Sequence, residues 1–194
     1  MRKICVLVAE SCAGKDTVLN ILVDKYNMNR VVSHTTRPMR HMETDGKEYH
    51  FTTNEEFMKM KQDNLFVETR QYNTYQDGES TVWRYGVSKR AVSEQNNGIL
   101  VLDLEGLKEL EAYLGRDSVV SFYIMVGEKV RMERSLKRGD EKSEVLRRFQ
   151  DDAIKFLNAQ KLTTYTIDNK EGQLDPSEIA EIIFNKLNEE RMNE

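Results

Sequence analysis

The segment 9-AESCAGKDTVLNILVDKY-26 is the most informative part of this sequence, because it places a loop and a helix directly behind a short apolar run, Ile4–Val8. It approaches the pattern G-x-x-x-x-G-K-[ST] of phosphate-binding loops, with the pair Gly14-Lys15 in place. Such a loop needs successive backbone N–H groups pointing into one concavity and a helix N-terminus behind them. The strand–loop–helix order that this requires is present. We therefore predict that Lys15 contacts phosphate and is not an ordinary surface lysine.

Two positions of the loop depart from the pattern, since Ala9 replaces the first glycine and Asp16 replaces the serine or threonine. Alanine is tolerated at position 9 if its backbone φ is negative. The carboxylate at position 16 can ligate Mg²⁺ as a hard oxygen donor, or it can be a first-turn carboxylate favoured by the helix dipole. Thr17 offers an alternative hydroxyl. Cys12 is either a small filler or, if exposed beside the N–H groups, a reactive thiol.

Composition predicts a soluble protein of one domain. The chain has 194 residues, of which 39% are hydrophobic and 32% charged, and its formal net charge is -4. That length allows a substantial core, and the negative charge argues against a large nucleic-acid footprint. Cys5 and Cys12 lie too close to pair if they share one strand and loop, which suits a reducing cytosol. The apolar run at the N-terminus is too short for a signal peptide, and no stretch approaches a membrane span, so we expect a cytoplasmic protein.

Apolar runs alternate with amphipathic segments along most of the chain. The strand candidates are Ile4–Val8, Arg30–Ser33, Ile99–Leu104, Val119–Val126 and Thr164–Ile167. The helix candidates are Asp16–Tyr26, Ser88–Asn97, Glu105–Tyr113, Glu128–Arg138, Ser143–Ala159 and Pro176–Arg191. This alternation predicts an α/β fold with a parallel sheet. Thr53 and Glu56 have the spacing of a capping box that opens a further helix. The polar stretch 33–85 breaks the rhythm and is expected to form a separate lobe at one edge.

The second informative stretch is 33-SHTTRPMRHMETDGKEYHF-51, which concentrates arginine and tyrosine around turns. Arg37, Arg40 and Tyr49 surround a turn set by Pro38 and by Asp45-Gly46. Two arginines suit a phosphate monoester because each offers a forked, bidentate contact, and a tyrosine adds a hydroxyl donor. A solvated polar loop would have the same composition. The residues alone leave both interpretations open.

In their order and spacing, these motifs resemble the guanylate kinase family of nucleoside monophosphate kinases. That family has a phosphate loop, then Ser-x-Thr-Thr-Arg-x-x-Arg, then Gly-Lys-x-Tyr-x-Phe. The matching residues here are Ser33, Thr35, Thr36, Arg37, Arg40, Gly46, Lys47, Tyr49 and Phe51. The resemblance continues through Glu68, Tyr85-Gly86, Leu102-Asp103-Leu104, Arg134, Arg138-Gly139 and Arg147-Arg148. It covers nearly the whole chain, and the ordered set is specific although no single motif is decisive.

The resemblance implies a P-loop NTPase-type three-layer α/β fold with a parallel sheet core, a small mixed acceptor-binding lobe and a helical lid. The whole chain would be a single guanylate kinase-like domain. Its core would comprise residues 1–32, 99–126 and 160–194, with the lobe at about 33–90 and the lid at about 134–150. The implied partners are small-molecule nucleotides, with neither nucleic acid nor membrane. The protein would act as a monomer or homodimer.

The resemblance also implies a role for individual residues in transfer of a phosphoryl group from ATP to GMP or dGMP. The ATP-binding residues would be Ala9, Glu10, Ser11, Cys12, Ala13, Gly14, Lys15, Asp16 and Thr17. The GMP-binding residues would be Ser33, Arg37, Arg40, Tyr49, Glu68, Tyr85 and Asp103, with Glu43 and Glu105 as weaker candidates for helper roles. The catalytic residues would be Lys15, Arg37, Arg134, Arg138 and Arg148. The cofactor would be Mg²⁺ with ATP as co-substrate, with Asp16 or Thr17 as its ligand.

Glu68 illustrates how the resemblance changes the interpretation of a residue. Guanine offers N1–H and N2–H₂ as neighbouring donors, and a single carboxylate can accept both. Adenine cannot present that pair. Without the surrounding pattern, a surface carboxylate on a strand would be the better interpretation of Glu68. The lid arginines have a similar alternative, since Arg147 and Arg148 lie among Glu144, Asp151 and Asp152 and could simply pair along a helix.

Three departures from the family concern the metal or the acceptor and not the fold. Asp16 replaces a serine, as it does in related kinases of ribose 1,5-bisphosphate. Val87 stands where a serine or threonine near guanine is usual, and the segment Gln71–Trp83 is lengthened, either as a longer hairpin or as a change in acceptor choice. The alternatives are therefore the same chemistry on another phosphorylated acceptor, such as ribose 1,5-bisphosphate, or a non-catalytic guanylate-kinase-like binding module.

Overall fold

The computed structural model describes residues 3–76, 79–95 and 97–192. The described residues up to Arg30 and from Asn97 onward form one compact unit, and those from Val31 to Gln95 belong to a second. In chain order the elements are β1 (Ile4–Val8), α1 (Lys15–Tyr26), β2 (Asn29–Arg30), β3 (His34–Thr35), β4 (His50–Phe51), α2 (Asn54–Gln62), β5 (Phe66–Gln76), β6 (Glu79–Ser88), α3 (Lys89–Ser93), β7 (Gly98–Val101), α4 (Leu104–Leu114), β8 (Val119–Met125), α5 (Glu128–Arg138), α6 (Lys142–Lys155), α7 (Ala159–Leu162), β9 (Tyr165–Asp168) and α8 (Pro176–Met192).

The first unit is built on a five-stranded sheet in the order β2-β7-β1-β8-β9. Every neighbouring pair is parallel, so the carboxyl ends of the strands lie at one edge and the loop after β1 begins there. All five residues of β1 are buried, which explains why this strand reads as an unbroken apolar run. The prediction of an α/β fold with a parallel sheet core is confirmed.

The helices that pack on this sheet hold the loop after β1 in place. Leu19 and Leu22 of α1, Phe122 of β8 and Ile183 of α8 all belong to one buried apolar cluster. Burial of each such side chain stabilises the fold by about 1.5–3 kcal/mol. Helix α1 is capped at its C-terminus by Asn27, which takes a left-handed conformation and donates its backbone N–H to Leu22 O. The helix behind the loop is therefore fixed along its buried face and at its end.

The second unit contains a mixed four-stranded sheet in the order β4-β3-β6-β5. Strands β5 and β6 pair antiparallel from Phe66 with Ser88 out to Gln76 with Glu79. The lengthened segment Gln71–Trp83 therefore forms the outer part of a long hairpin, and its residues 77 and 78 lie outside the described residues. Strands β3 to β6 were not predicted individually, although the separation of this region from the regular alternation was. The small mixed lobe is confirmed.

Helix α2 begins with the capping box that its sequence predicted. Thr53 Oγ1 accepts the N–H of Glu56 at 3.1 Å, and Glu56 Oε2 accepts the N–H of Thr53 at 2.8 Å. Two N–H groups that a helix start would otherwise leave open are thus satisfied. Phe57 on the next turn is buried against Phe66 of β5, with ring centroids 4.6 Å apart. The cap and this stacked pair fix α2 to the hairpin.

Several boundaries differ from those predicted, among them the following three. The predicted helix Ser88–Asn97 is only α3, because Ser88 is its N-cap and the helix ends after Ser93. The predicted strand Ile99–Leu104 stops at Val101, since Asp103 caps helix α4. The second strand begins at Asn29 and ends at Arg30, earlier than the predicted Arg30–Ser33. Among the helices of the described part, none combines the length and the apolar character that crossing a membrane would require.

Candidate active site

The loop between β1 and α1 contains two residues in the left-handed region of the backbone. Gly14 has φ 93° and Cys12 has φ 64°, whereas Ala9 is not among the described residues with positive φ. Alanine in place of the first glycine is therefore unstrained, as expected. Glycine suits position 14, where an added side chain would be strained. Cys12 adopts the left-handed region without being glycine, at a cost of about 1–2 kcal/mol.

Two of the predicted lid arginines lie directly on this loop. Arg134 Nη1 donates to the carbonyl oxygen of Ala13 at 3.0 Å, and Arg138 Nη2 donates to Cys12 Sγ at 3.4 Å. Arg138 also donates from Nε to Asp140 at 3.0 Å, and this hydrogen bond raises the pKa of its guanidinium. Helix α5 thus brings two permanent positive charges to the loop.

The third predicted lid arginine, Arg148, is engaged elsewhere in the structure. Its Nε donates to Glu144 Oε1 at 2.8 Å along helix α6. Arg147 also pairs with Glu144 and with Asp151, each at 2.8 Å. Hydrogen bonds from the two arginines hold the pKa of Glu144 below its usual range. The helix-pairing alternative considered from the sequence therefore describes these contacts, and a role for Arg148 on a nucleotide stays a prediction.

A buried polar cluster that the sequence did not reveal lies beneath the loop. Arg131 of α5 donates from Nη1 to Asp152 Oδ2 and to Ser11 O, each at 3.3 Å, and from Nη2 to Glu10 Oε1 at 3.4 Å. Asp152 Oδ2 in turn accepts the backbone N–H of Ser11 at 2.8 Å. Tyr123 of β8 completes the cluster by donating its hydroxyl to Glu10 Oε2 at 3.1 Å. Two residues of the loop are therefore held by side chains of β8, α5 and α6.

Burial alters the proton affinity of this cluster. It raises the pKa of the Glu10 carboxyl, and Arg131 and the Tyr123 hydroxyl act in the opposite direction. Burial, followed by the nearby Glu10, raises the pKa of the Tyr123 hydroxyl as well. The sequence did contain one indication of Arg131. Arg131, Arg134 and Arg138 are spaced three and four residues apart, which puts all three on one helix face. The partners of Arg131 come from distant parts of the chain, so sequence spacing could not identify them.

The residues that follow the loop begin helix α1. Lys15 is its first residue and is half-buried, whereas Asp16 and Thr17 in the same turn are exposed. Helix residues at this position are close to the positive end of the helix dipole, which suits a carboxylate. Within the residues the structure describes, no group of three or more acidic, histidine or cysteine side chains could hold a metal ion.

In the second unit, Arg37 lies at the centre of a cluster of aromatic and acidic side chains. Its Nη2 donates to Glu43 Oε1 at 2.6 Å, and its guanidinium lies 5.6 Å from the centre of the Tyr49 ring. Tyr85 packs edge-on against Tyr49 with ring centroids 5.8 Å apart. Glu43 Oε2 also accepts the backbone N–H of Arg40 at 2.8 Å. Four predicted acceptor-site residues, Arg37, Arg40, Tyr49 and Tyr85, are thus brought together, with Glu43 as the residue that joins the two arginines.

Opposing effects of burial and pairing set the ionisation of this group. Burial is the largest single effect and opposes the charge on Arg37, but the hydrogen bond to Glu43 and the electrostatic interactions with Tyr85, Glu43 and Tyr49 together outweigh it and raise the Arg37 pKa. Burial likewise opposes the charge on Glu43, yet the bonds from the Arg37 side chain and the Arg40 backbone hold its pKa below the usual range. Both groups are therefore charged at neutral pH. The proposal that Glu43 helps the site gains a specific structural basis.

Glu68 is buried in strand β5, with only 4% of its surface exposed. Its Oε2 lies 4.0 Å from Arg70 Nη1, and its register partner on β6 is Val87, which is completely buried. The interpretation as a surface carboxylate is therefore wrong. Val87 packs inside the lobe, so the absence of a hydroxyl there is compatible with a core position. Ser33 is half-buried just before β3, and its carbonyl accepts the N–H of His50 at 2.9 Å.

Asp103 differs from its predicted setting. It was expected to end a strand, but it follows β7 after an intervening residue and caps helix α4, where its Oδ1 accepts the N–H of Gly106 at 2.8 Å. It also belongs to the first unit, whereas the other predicted acceptor residues belong to the second. Glu105 is exposed in the first turn of α4. The direct role of Asp103 on an acceptor stays a prediction.

Comparison with known proteins identifies the relatives of this chain. The family model "Guanylate kinase" matches residues 1–185. The guanylate kinase of Desulfotalea psychrophila is 31% identical over 166 residues, which is 82% of this chain and 77% of that protein. The guanylate kinase of Caldanaerobacter subterraneus subsp. tengcongensis is 30% identical over 187 residues, covering 92% of this chain and 85% of the relative.

Solved structures agree with the sequence relatives. The crystal structure of guanylate kinase from Anaplasma phagocytophilum matches with a TM-score of 0.67 and 28% identity, over 99% of this chain and 89% of that one. An uncharacterised protein from Eubacterium ventriosum, with a TM-score of 0.54 and 12% identity over 97% of this chain and 99% of that one, shares the fold alone. With a family model that spans nearly all of the sequence, and with relatives matched over most of their own length, this chain belongs to the guanylate kinase family.

Proposed function

We propose that this protein transfers the terminal phosphoryl group of ATP to GMP, yielding ADP and GDP. The observation that carries this proposal is the contact of Arg134 and Arg138 with the loop that presents Lys15. Two arginines that contact the loop, together with the lysine that begins the following helix, supply the positive charge that phosphoryl transfer requires, because its catalysis is mostly positioning and charge neutralisation. A non-catalytic binding module would have no use for this arrangement.

On the donor side, the loop from Ala9 to Thr17 binds the ATP phosphates. Backbone N–H groups of the loop and the start of α1 face the anion, and Lys15 adds a charge to the terminal phosphates. Arg134, Arg138 and Arg148 form the lid of about residues 134–150, and they stabilise the charge that spreads over the transferring group. For Arg148 this role requires that its bond with Glu144 be exchanged for one with phosphate.

On the acceptor side, Arg37, Arg40, Tyr49 and Tyr85 bind the phosphate of GMP within the lobe of about residues 33–90. The ion pair with Glu43 orients the guanidinium of Arg37, so that one edge of the guanidinium points in a fixed direction. Ser33 and Glu68 recognise guanine. Asp103, which belongs to the proposed core of residues 1–32, 99–126 and 160–194, is a further candidate for GMP binding. These contacts engage the base and the phosphate but not the 2′-hydroxyl, so dGMP is a second acceptor.

The donor atoms at the start of α1 fit Mg²⁺. Asp16 offers a carboxylate and Thr17 a hydroxyl, both exposed, and magnesium commonly takes one or two protein oxygens while phosphate and water supply the others. When bound with ATP, the ion would neutralise phosphate charge. Asp16 replaces a hydroxyl with a carboxylate, which adds one negative charge close to the triphosphate. The cations of Lys15, Arg134 and Arg138 offset that charge.

The cellular setting proposed is the cytoplasm. Cys5 is buried and Cys12 is partly buried, and both are free thiols. Burial raises the pKa of the Cys5 thiol far above its usual value, so that it stays protonated and unreactive. Two unpaired cysteines suit a reducing compartment, where ATP and nucleoside monophosphates are also found.

The proposal is tested by separating the nucleotides after incubation of the purified protein with ATP, GMP and magnesium. We expect GDP and ADP to form in equal amounts, and Lys15→Met to reduce the rate at least about a hundredfold because a charge next to the transferring group is lost. A folded wild-type protein that forms neither product would contradict the proposal and favour the binding module.

A further inference from the structure

We propose that Arg131 and Asp152 are positioning residues that hold the phosphate loop in its binding shape and join it to helices α5 and α6. This inference rests on the proposed ATP binding by the loop, and it adds two residues that lie beneath the loop. Neither residue was predicted to touch a nucleotide. Their role is to determine where the N–H groups and the lid arginines stand when ATP arrives.

The first argument is that this ion pair takes both backbone groups of Ser11. The N–H of Ser11 donates to Asp152 Oδ2 at 2.8 Å, and its carbonyl accepts from Arg131 Nη1 at 3.3 Å. The same Nη1 atom donates to Asp152 Oδ2 at 3.3 Å, which closes a ring of hydrogen bonds around one peptide position. A residue whose two backbone groups are both engaged has little freedom to rotate, so the path of the loop is fixed at this point.

The second argument concerns the burial of Arg131. Only 6% of its side chain is exposed, and its partner Asp152 is 10% exposed. Its Nε donates to Val126 O at 3.2 Å, and its guanidinium lies 4.4 Å from the centre of the Phe149 ring. Removal of a charge from water is costly unless hydrogen bonds replace the hydration. The chain keeps this charge buried under the loop and gives it acceptors from Val126, which directly follows β8, from α6 and from the loop itself.

The third argument is electrostatic. Glu10 and Asp152 place two carboxylates beneath a loop that must accept the negative phosphates of ATP. Arg131 lies between them, 3.4 Å from Glu10 Oε1 and 3.3 Å from Asp152 Oδ2. Without Arg131, these carboxylates would repel each other and the ligand. A lysine could keep the charge but not the fork, because one ammonium cannot reach Ser11, Glu10, Asp152 and Val126 in the planar arrangement that guanidinium provides.

The fourth argument is the strain in the loop. Cys12 follows Ser11 directly and takes φ 64°, which disfavours a residue with a side chain. Strained backbone persists only where the surroundings enforce it. Ser11 is pinned on one side of Cys12 by Arg131 and Asp152, and Ala13 is pinned on the other side by Arg134. The clamp on Ser11 therefore maintains the conformation that a phosphate loop requires.

The alternative is that the pair serves stability alone, as many buried ion pairs do. In that case substitution would lower the melting temperature but would leave the ATP affinity of the molecules that fold unchanged. Direct ATP binding by the intact protein, measured by calorimetry without acceptor, separates the two roles. The variants are Arg131→Lys and Asp152→Asn, which are conservative enough to fold. The matched control is Arg116→Met, an exposed arginine just before the start of β8, at the opposite edge of the sheet from the loop.

We expect Arg131→Lys to weaken ATP binding about tenfold and Asp152→Asn about threefold to tenfold, while GMP binding changes less than twofold. The KM for ATP should rise more than kcat falls, and Arg116→Met should match the wild type. ATP dissociation constants within twofold of wild type for both folded variants would overturn the proposal. So would an equal loss of ATP and GMP affinity.

A rescue experiment provides a second measurement, the recovery of ATP affinity, which is not expected if the ion pair has only a structural role. Arg131→Met leaves the Glu10 and Asp152 carboxylates without their cation, and we expect it to weaken ATP binding more than Arg131→Lys does. Adding Glu10→Gln to Arg131→Met removes one uncompensated charge and should recover at least about threefold of the ATP affinity. No recovery would remove the electrostatic part of the proposal. If Arg131→Met does not fold, the ATP affinities of Arg131→Lys and Asp152→Asn decide whether the proposal holds.

The outcome is separable from that of the proposed function. If the wild type binds ATP and phosphorylates GMP but the variants bind ATP normally, this inference alone fails. If the variants lose ATP affinity while the wild type phosphorylates no GMP, the inference stands and the proposed reaction fails. If the wild type binds no ATP, both are wrong.

Discussion

Arg37 and Glu43 form an ion pair of 2.6 Å in which the arginine side chain is only 5% exposed and the glutamate 13%. The second oxygen of the same carboxylate accepts the backbone N–H of Arg40 at 2.8 Å. Glu43 thus fixes the direction of one proposed phosphate ligand and the backbone of another. Glu43 is not proposed to contact the substrate, but through Arg37 and Arg40 it determines how the acceptor phosphate is bound.

Glu43→Gln should weaken GMP binding about tenfold and leave ATP binding unchanged. The amide keeps the size of the side chain but replaces a charge-assisted hydrogen bond of about 1.5–3 kcal/mol with a weaker one, so Arg37 becomes less well ordered. The measurement is the KM for each nucleotide at saturating partner. Glu55→Gln is the control, because Glu55 is an exposed carboxylate in the first turn of α2 within the same unit. An unchanged KM for GMP in Glu43→Gln would show that Arg37 is ordered without it.

Glu68→Gln should weaken GMP far more than ATP, by at least about tenfold in kcat/KM. A carboxylate accepts the two neighbouring donors of guanine, whereas an amide presents one donor that opposes them, leaving a buried polar group unpaired. The two quantities to compare are kcat/KM for GMP at saturating ATP and kcat/KM for ATP at saturating GMP. A similar loss for both nucleotides would mean that Glu68 supports the fold and does not recognise the base.

Cys12→Gly should raise the free energy of unfolding by up to about 1 kcal/mol. Relief of the left-handed strain contributes about 1–2 kcal/mol, and the greater freedom of glycine in the unfolded chain offsets about half of it. Urea unfolding of Cys12→Gly and Cys12→Ala isolates the effect, because alanine keeps the Cβ atom and loses the same sulfur contact with Arg138. If alanine stabilises as much as glycine, the backbone conformation is not the source of the difference.

Acid should destabilise the protein through His34. Burial, reinforced by the neighbouring His50, lowers the His34 pKa from 6.5 to about 4, while Asp45 acts in the opposite direction. The folded form therefore binds fewer protons than the unfolded form below pH 6.5, so stability falls as the pH drops from about 6.5 towards about 4. Because His34 is partly exposed, solvent screening limits the loss to about 1–2 kcal/mol.

The check on His34 is urea unfolding at pH 7.5 and pH 5, followed by the fluorescence of Trp83, the single tryptophan of the sequence. His34→Phe keeps an aromatic ring next to Phe66, whose centroid is 5.6 Å away, but cannot bind a proton. We expect this variant to lose less stability than the wild type on acidification. Equal losses would assign the acid sensitivity to other groups.

The first unit was readable from sequence because its buried strands and amphipathic helices follow simple periods. Strand β1 was predicted to the residue, since all five of its side chains are apolar and buried. The polar strands β3 to β6 were not predicted, because they carry Thr, Tyr and Arg on both faces and so show no clear alternation of polar and apolar residues. Asp103 misled the strand prediction, since a residue between two leucines in an apolar run was in fact the cap of the next helix.

The residues of the candidate site also divide into those that the sequence predicted and those that it did not. Lys15 was predicted from the local loop pattern and the two arginines, Arg134 and Arg138, from the family resemblance, and both arginines contact the loop in the structure. The partnership of Arg131 with Asp152 and Ser11 joins two helices and a loop that are separated by 21 to 141 positions along the chain. No local spacing encodes such contacts. The sequence therefore identified Lys15, Arg134 and Arg138 as site candidates but not the buried Arg131 and Asp152 that contact the same loop.

The most direct test of the central claim is the rate of ADP formation from Mg-ATP with GMP, dGMP, AMP, CMP, UMP, dTMP and ribose 1,5-bisphosphate, compared as kcat/KM. We predict that GMP and dGMP exceed every other acceptor by at least about a hundredfold, because the other acceptors cannot give a buried carboxylate the two donors of guanine. Faster turnover with ribose 1,5-bisphosphate or another nucleotide, or no turnover with any acceptor by a folded protein, would contradict this account.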